Sequence, residues 1–213
     1  MPRSLREHST EHPFQITARC RNREFFPIPM SEVWTIMEDY LFFISHAYQI
    51  EIISFVLMSN HFHLIARTPQ GNLNEAMNYF MSNTSRCINE KAGAINQLWG
   101  SRYHPSLIDC DHYLMNVYKY VYRNPVEAGL SDRAENYTYS TLNLKLGRGR
   151  INFPILADTI LNESHNFTLK WINQSVDLEQ RRMIERALKR PRFAIPKKVR
   201  GNKKKPSLAT ELY

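Results

Sequence analysis

Two β-rich runs lie almost end to end near the middle of the chain, and their proximity constrains the fold more than any other feature of the sequence. Residues 50–58 read IEIISFVLM and residues 61–67 read HFHLIAR, with only Ser59 and Asn60 between them. Such a short polar break between β-rich segments predicts a hairpin or a tight bend from one strand to the next. The chain is therefore expected to build an antiparallel sheet.

Strand and helix patterns alternate on both sides of this pair. Residues 14–20 (FQITARC) alternate apolar with polar side chains, as a half-buried strand does. An apolar repeat of 3.6 residues over 33–44 indicates a helix, with Ser31 as its expected N-cap. Asn72 and Glu75 form a capping-box-like start for a second helix.

A weaker strand pattern over 101–108 and a third helix complete the series. Asp111 is expected to open this helix and Pro125 to end it, because proline lacks the backbone N–H that a helix interior needs. The order strand, helix, strand, strand, helix, strand, helix predicts an α+β fold. Its expected form is a ferredoxin-like split βαβ sandwich, in which an antiparallel sheet carries helices on one face.

The character of the sequence changes beyond residue 143. Residues 147–150 (GRGR) resemble a linker, and Asp177 with Gln180 is expected to cap a short basic helix that runs to Lys189. Prolines and basic residues dominate the segment that follows, which is typical of a mobile tail. The expected division is a first domain over 1–143, a partly helical C-terminal extension over 144–190, and a basic, disordered tail over 191–213.

The net charge of +8 is concentrated near the C-terminus. Residues 181–205 contain 12 Lys and Arg against a single acid, Glu185, so the rest of the chain carries 16 bases and 19 acids. A basic tail either binds the phosphates of a nucleic acid or serves as a solubilising terminus. Charge alone leaves both interpretations open.

Three cysteines without a CxxC pair indicate a reducing compartment. The N-terminal segment lacks the apolar core of a signal peptide, and Glu38 and Asp39 interrupt the most apolar run, residues 33–48. These features predict a cytoplasmic protein that does not engage a membrane.

The triplet His61-Phe62-His63 is the strongest chemical signal. On a strand, residues i and i+2 point to the same face, so both imidazoles are able to reach one metal ion while Phe62 packs into the core. The alternative is two surface histidines that alternate by chance.

A second candidate feature is the pair Tyr120 and Asn124 on the third helix. Residues four apart share one helix face, so Tyr120 is a candidate nucleophile and Asn124 a candidate oxygen ligand beside it. The alternative is that Tyr120 only packs or faces solvent, because this helix is rich in tyrosine.

Three blocks of sequence together resemble a known family. Residues 58–69 (MSNHFHLIARTP), 97–109 (QLWGSRYHPSLID) and 113–130 (YLMNVYKYVYRNPVEAGL) are similar to successive blocks of REP-associated tyrosine transposases. These enzymes are relatives of the single-tyrosine transposases among the HUH endonucleases. The resemblance spans about residues 14–142, which makes 1–143 the expected catalytic domain.

The resemblance implies specific roles for these residues. His61 and His63 would be the HUH pair, Tyr120 the nucleophile that forms a 5′-phosphotyrosine, and Asn124 the third metal ligand. The metal would be Mg²⁺ or Mn²⁺, and the substrate would be single-stranded DNA with hairpin-forming palindromes. Tyr122 fits the nucleophile position less well than Tyr120. The protein would act as a monomer or a homodimer.

Further DNA contacts are expected on both sides of the site. By its position, the resemblance assigns Arg19, Arg21 and Arg23 to DNA binding near a guide sequence. Independently, basic residues near the motifs are candidates for holding phosphates, and aromatic residues for stacking on bases. The phosphate candidates are Arg102, Lys119 and Arg123. The stacking candidates are Phe25, Tyr103 and Trp99, and core packing is the favoured interpretation for Trp99.

Two other functions compete with strand transfer. A metal hydrolase would use His61 and His63 with a third ligand such as Asp109 or His104, together with Zn²⁺ and an activated water. A non-catalytic nucleic-acid-binding protein would keep the fold and bind through its tail.

Overall fold

The predicted strand pair forms the antiparallel hairpin of a four-stranded sheet. The computed structural model describes residues 7–95, 97–157, 160–161 and 165–195. The strands are β1 (Phe14–Arg19), β2 (Glu51–Leu57), β3 (His61–Arg67) and β4 (His104–Leu107). The helices are α1 (Met30–Ala47), α2 (Leu73–Ala92), α3 (Asp111–Glu127), α4 (Thr141–Lys145), α5 (His165–Asn173) and α6 (Leu178–Leu188).

The sheet has the order β2-β3-β1-β4, and each of its neighbouring pairs is antiparallel. This is the order of two split βαβ units, because β3 lies between β1 and β2 of the first unit and β1 lies between β3 and β4 of the second. The predicted α+β, ferredoxin-like fold is therefore confirmed.

Helices cover both faces of the sheet. Phe62 and Leu64 of β3 point into a core formed with α1 and α2. Ile65 of β3 and Val56 of β2 point the other way, into a second core formed with α3, α5 and α6. Because β2 and β3 are apolar on both sides, each face needs a cover. The split βαβ helices occupy one face, as predicted, and α3 with the C-terminal helices occupies the other.

Three local predictions are corrected at the helix ends. Helix α1 begins at Met30 after an N-cap at Pro29, so Ser31 is not its cap. Helix α2 begins after Asn72, but the Asn72 side chain makes no capping bond and instead donates to the carbonyl of Tyr48. Pro125 lies inside α3, which continues to Glu127 before Ala128 caps it.

The C-terminal extension packs against the sheet domain. The predicted capping box of Asp177 and Gln180 is present at the start of α6. Beyond α6, the backbone N–H of Phe193 donates to Leu107 at 2.8 Å, and Phe193 is fully buried. Residues 191–193 therefore extend the edge beside β4, which corrects their assignment to the disordered tail. Residues 196–213 of the predicted tail lie outside the described residues.

Within the described part of the chain, no helix is both long enough and apolar enough to cross a membrane.

Candidate active site

The two histidines of β3 lie side by side on the sheet face that α3 covers. The ring centroids of His61 and His63 are 5.0 Å apart, and both side chains are buried. Phe62 between them points into the opposite core. The two histidines therefore point to one face of the sheet and Phe62 to the other, as the alternation of side chains along a strand predicts.

Helix α3 brings Tyr120 to the same place. The ring of Tyr120 meets that of His63 edge to face, with 5.8 Å between the centroids. The apolar residues Val117 and Val121 hold this helix against the sheet, and Tyr120 lies half-buried at their flank. Tyr122 is different, because its ring is fully buried and its hydroxyl lies 3.0 Å from Thr141 Oγ1.

Each histidine has an amide side chain on its Nδ1 atom. Asn60 Oδ1 lies 2.8 Å from Nδ1 of His61, and Gln15 Nε2 lies 3.0 Å from Nδ1 of His63. The Nε2 atom of His63 is buried without a hydrogen-bond partner among the described residues. A buried nitrogen left in this way suits a metal ligand, because coordination would satisfy it.

Burial keeps both imidazoles neutral. It lowers the pKa of His61 to about 3, and the positive charge of Arg19 acts in the same direction. Burial also lowers the pKa of His63 well below its usual value, helped by His61 and Arg19. Since a metal binds the neutral imidazole, the pair is in its coordinating form at neutral pH.

The Tyr120 hydroxyl is a weak acid in this environment. Burial raises the pKa of Tyr120 to about 12, and the charge of Glu185 adds to the rise. Asn124, Arg181 and Arg19 oppose the shift. An unassisted Tyr120 would therefore stay protonated at neutral pH, and a cation beside it would be needed to favour the phenolate.

Asn124 lies one turn after Tyr120 and is buried. Its Nδ2 donates to the backbone carbonyl of Tyr120 at 2.9 Å, which leaves the amide oxygen as the atom available for a ligand role. Across the described residues, no cluster of three or more His, Cys, Asp or Glu side chains is present. In α3 the Asn124 amide lies one turn from Tyr120, and it is the third ligand that the sequence predicts. The donor set of two imidazoles and one amide fits a divalent cation.

Three arginines lie at the end of β1 and in the turn that follows it. Arg19 pairs in register with His61 and is exposed on the same sheet face. Arg21 and Arg23 follow in an exposed turn, where Asn22 and Arg23 adopt positive φ values of 54° and 61°. A hydrogen bond joins this turn to the residue before His61, since Asn60 Nδ2 donates to the carbonyl of Arg23 at 2.7 Å.

The other basic candidates differ in their surroundings. Arg102 is exposed. Lys119 lies with Nζ 5.2 Å from the ring centre of Trp171. Arg123 is buried, and its guanidinium contacts Glu127 and the carbonyl of Asn173. Because a guanidinium satisfied inside the protein is not presented to a phosphate, this geometry favours a structural role for Arg123.

The three aromatic candidates also differ in how far they are exposed to solvent. Trp99 is buried, meets Phe62 edge to face and donates from Nε1 to the carbonyl of Met81 at 3.1 Å. Tyr103 is buried as well and donates to Asn74. Phe25 is 73% exposed beside the arginine turn. Phe25 is therefore the one of the three that is available for stacking on a base.

The third ligands that a hydrolase would need are engaged elsewhere. Asp109 Oδ2 accepts from Arg192 Nη1 at 3.1 Å, and Nε2 of His104 lies 3.0 Å from the carbonyl of Leu188. Neither side chain joins His61 and His63 in a cluster within the described residues. The geometry therefore gives the zinc hydrolase hypothesis no support.

Known proteins share sequence features and the fold of this chain. Residues 10–124, more than half of the chain, match the family model described as IS200-like transposases. The chain belongs to the IS200-like transposase family. The fold of this transposase is similar to that of a REP-associated tyrosine transposase bound to a REP hairpin, with a TM-score of 0.61 and 16% identity over 84% of this chain and 93% of that one.

A second solved structure and the curated proteins were also compared with this chain. A candidate transposase from Deinococcus radiodurans R1 is 16% identical over 57% of this chain and 94% of its own, with a TM-score of 0.39. No curated protein matches the sequence of this transposase.

Sequence reasoning missed the residues that support the histidines. Gln15 occupies a polar position of an alternating strand, a position that the pattern assigns to the solvent side. It is buried because α3 covers that face. Asn60 was interpreted only as part of the turn between the strands. Its position directly before His61 was the one available signal for its role.

Proposed function

We propose that this transposase cuts and rejoins single-stranded DNA through Tyr120, with Mg²⁺ or Mn²⁺ held by His61, His63 and Asn124. The observation that carries the proposal is the edge-to-face contact of the Tyr120 and His63 rings, whose centroids are 5.8 Å apart. Side chains that are distant in the sequence thereby lie together, which supports a role for both in metal-assisted phosphodiester cleavage.

The donor set also bears on the choice of metal. Neutral ligands leave the full charge of a cation for the substrate, and the bound cation would act as a Lewis acid on a non-bridging phosphate oxygen. Mg²⁺ prefers oxygen ligands, so an imidazole pair makes Mn²⁺ an equally suitable partner.

The chain's own groups then carry the chemistry. Tyr120 releases its phenolic proton to solvent, and its oxygen forms a bond to phosphorus while the bond from phosphorus to the 3′ oxygen breaks. The products are a 5′-phosphotyrosine and a 3′-hydroxyl that takes up a proton. A second 3′-hydroxyl reverses the step and joins strands without ATP, because the phosphotyrosine keeps the energy of the broken linkage. Arg19, exposed beside His61, holds the flanking phosphate.

The proposed substrate is a hairpin formed by a palindrome. Support comes from the structural relative, which was solved with a REP hairpin. In this chain, the exposed Arg21, Arg23 and Phe25 would contact a single strand that leaves the hairpin, with guanidinium groups on phosphates and the ring on a base.

Tyr120 and His63 meet within one chain, which supports a monomer that works in cis. A homodimer is the alternative that a molar-mass measurement tests. The cytoplasm stays the proposed location.

Substituting the nucleophile tests the proposal. Single-stranded oligonucleotides with the palindromes that flank the gene, labelled at the 3′ end, are incubated with protein and Mn²⁺ and separated under denaturing conditions. The wild type should yield a labelled covalent adduct that EDTA abolishes, and Tyr120→Phe should yield none. Tyr122→Phe is the matched control, because it removes a hydroxyl from the same helix that contacts Thr141 instead of the site.

Two outcomes would contradict the proposal. Cleavage by Tyr120→Phe at the wild-type rate would mean that water is the nucleophile. Binding of the hairpin by the wild type without any cleavage or adduct would mean that the protein is a non-catalytic binder.

A further inference from the structure

Gln15 is the most deeply buried polar side chain in contact with the site. It projects from β1, is 1% exposed, and its Nε2 lies 3.0 Å from Nδ1 of His63. Two atoms of this pair lack a hydrogen-bond partner among the described residues, namely Gln15 Oε1 and His63 Nε2. Buried polar atoms are normally satisfied, so two unsatisfied atoms in one contact require an explanation.

The proton on His63 supplies that explanation. A neutral imidazole carries one N–H, so a Gln15 N–H that donates to Nδ1 leaves the His63 proton on Nε2, with no lone pair there for a cation. Turning the Gln15 amide by half a turn exchanges its oxygen and nitrogen. Oε1 then accepts from Nδ1–H, and Nε2 of His63 keeps its lone pair.

In the observed orientation Gln15 Nε2 also lies 3.5 Å from the carbonyl oxygen of Ile16, and the turned amide gives up this long contact. Ser106 on β4 is the register partner of Gln15, and its buried hydroxyl also lacks a hydrogen-bond partner among the described residues. Ser106 is thus a buried hydroxyl on the neighbouring strand, at the register position opposite Gln15.

We infer that Gln15 is a positioning residue for the metal site, whose carbonyl oxygen fixes His63 in the Nδ1–H tautomer so that Nε2 faces the cation. The inference rests on the proposed function, because it takes His63 as a metal ligand. Asn60 provides the same arrangement at His61, where the amide oxygen lies 2.8 Å from Nδ1. With the Gln15 amide turned, both histidines have an amide oxygen as the partner of Nδ1, and Nε2 is the coordinating atom of each.

The tautomer can be measured directly in the wild type. A long-range ¹H–¹⁵N spectrum of the metal-free full chain, labelled at histidine, distinguishes a proton on Nδ1 from one on Nε2. The signals of His63 are assigned by comparison with His63→Ala. The inference predicts the Nδ1–H form for His63, and an Nε2–H form would overturn it.

Metal affinity provides the second readout. Gln15→Leu keeps the volume of the side chain and removes the acceptor, so Mn²⁺ affinity in a calorimetric titration should fall by about 10- to 100-fold. Gln15→Glu offers only acceptors and should retain wild-type affinity or exceed it. Thermal unfolding of both variants checks that the fold is kept.

The outcomes separate this inference from the proposed function. If His63→Ala abolishes Mn²⁺ binding while Gln15→Leu binds as the wild type does, the role of Gln15 is refuted and the metal site stands. If His63→Ala binds Mn²⁺ as the wild type does, the metal site itself is wrong and the inference falls with it.

Discussion

Acidification of the metal-free protein is predicted to destabilise it through His61 and His63. Both imidazoles are buried and neutral, with folded-state pKa values below the value near 6.5 expected in an unfolded chain. Their contribution to stability is therefore fully present above pH 6.5 and is lost as the pH falls toward about 3. The sign follows from proton uptake, because the unfolded state binds protons that the folded state excludes.

The size of the effect follows from the shift. A histidine that stays neutral in the folded state lowers the free energy of unfolding by about 1.4 kcal/mol for each pH unit below its pKa in the unfolded chain. Between pH 7 and pH 5 this amounts to about 2 kcal/mol for His61, and His63, whose pKa is also lowered, adds a loss in the same direction. A loss of this size is a large part of the stability of an ordinary domain.

Urea unfolding in EDTA at several pH values measures this loss. The double variant His61→Asn, His63→Asn is the matched control, since asparagine keeps a polar amide at each site but does not titrate. The wild type should lose at least about 2 kcal/mol more than the double variant between pH 7 and pH 5. Equal losses for the two proteins would refute the argument that the histidines are held neutral by burial.

Three further predictions concern the basic residues. Arg123→Met should lower the free energy of unfolding by about 2 kcal/mol, because it removes the donors to Glu127 Oε1 and to the carbonyl of Asn173 while Arg181 still pairs with Glu127 Oε2, and an unchanged urea midpoint would contradict this. Arg102→Gln should leave stability unchanged but reduce the slope of log affinity for the hairpin against log salt by about 1; an identical slope would exclude a phosphate contact. Removing residues 196–213 should weaken DNA binding and flatten its salt dependence, whereas identical binding curves would identify a passive terminus.

Local patterns in the sequence were sufficient to predict the sheet and the position of the histidines. The alternation of His61 and His63 around Phe62 depends only on strand geometry, and β3 forms as expected. The end of α3 was not predictable in the same way. Pro125 lies close enough to the C-terminal end that the helix continues for two more residues.

Tertiary contacts decide the roles of Arg123 and Gln15, which local sequence patterns do not predict. Arg123 looked like a surface base, but α5 covers it and supplies the carbonyl of Asn173. Gln15 looked like the polar side of a half-buried strand, but α3 covers that face and the side chain turns to His63. In both cases the packing of an element distant in the chain decides the role, and a local pattern carries no information about it.

The central claim is that His61, His63 and Tyr120 surround one shared cation. Diffraction from crystals soaked in Mn²⁺, with the anomalous signal of manganese located, tests this claim most directly. The account predicts a single strong peak bonded to Nε2 of both histidines, with the Tyr120 hydroxyl facing it. A peak bound to other residues, or none at the histidines under saturating Mn²⁺, would contradict it.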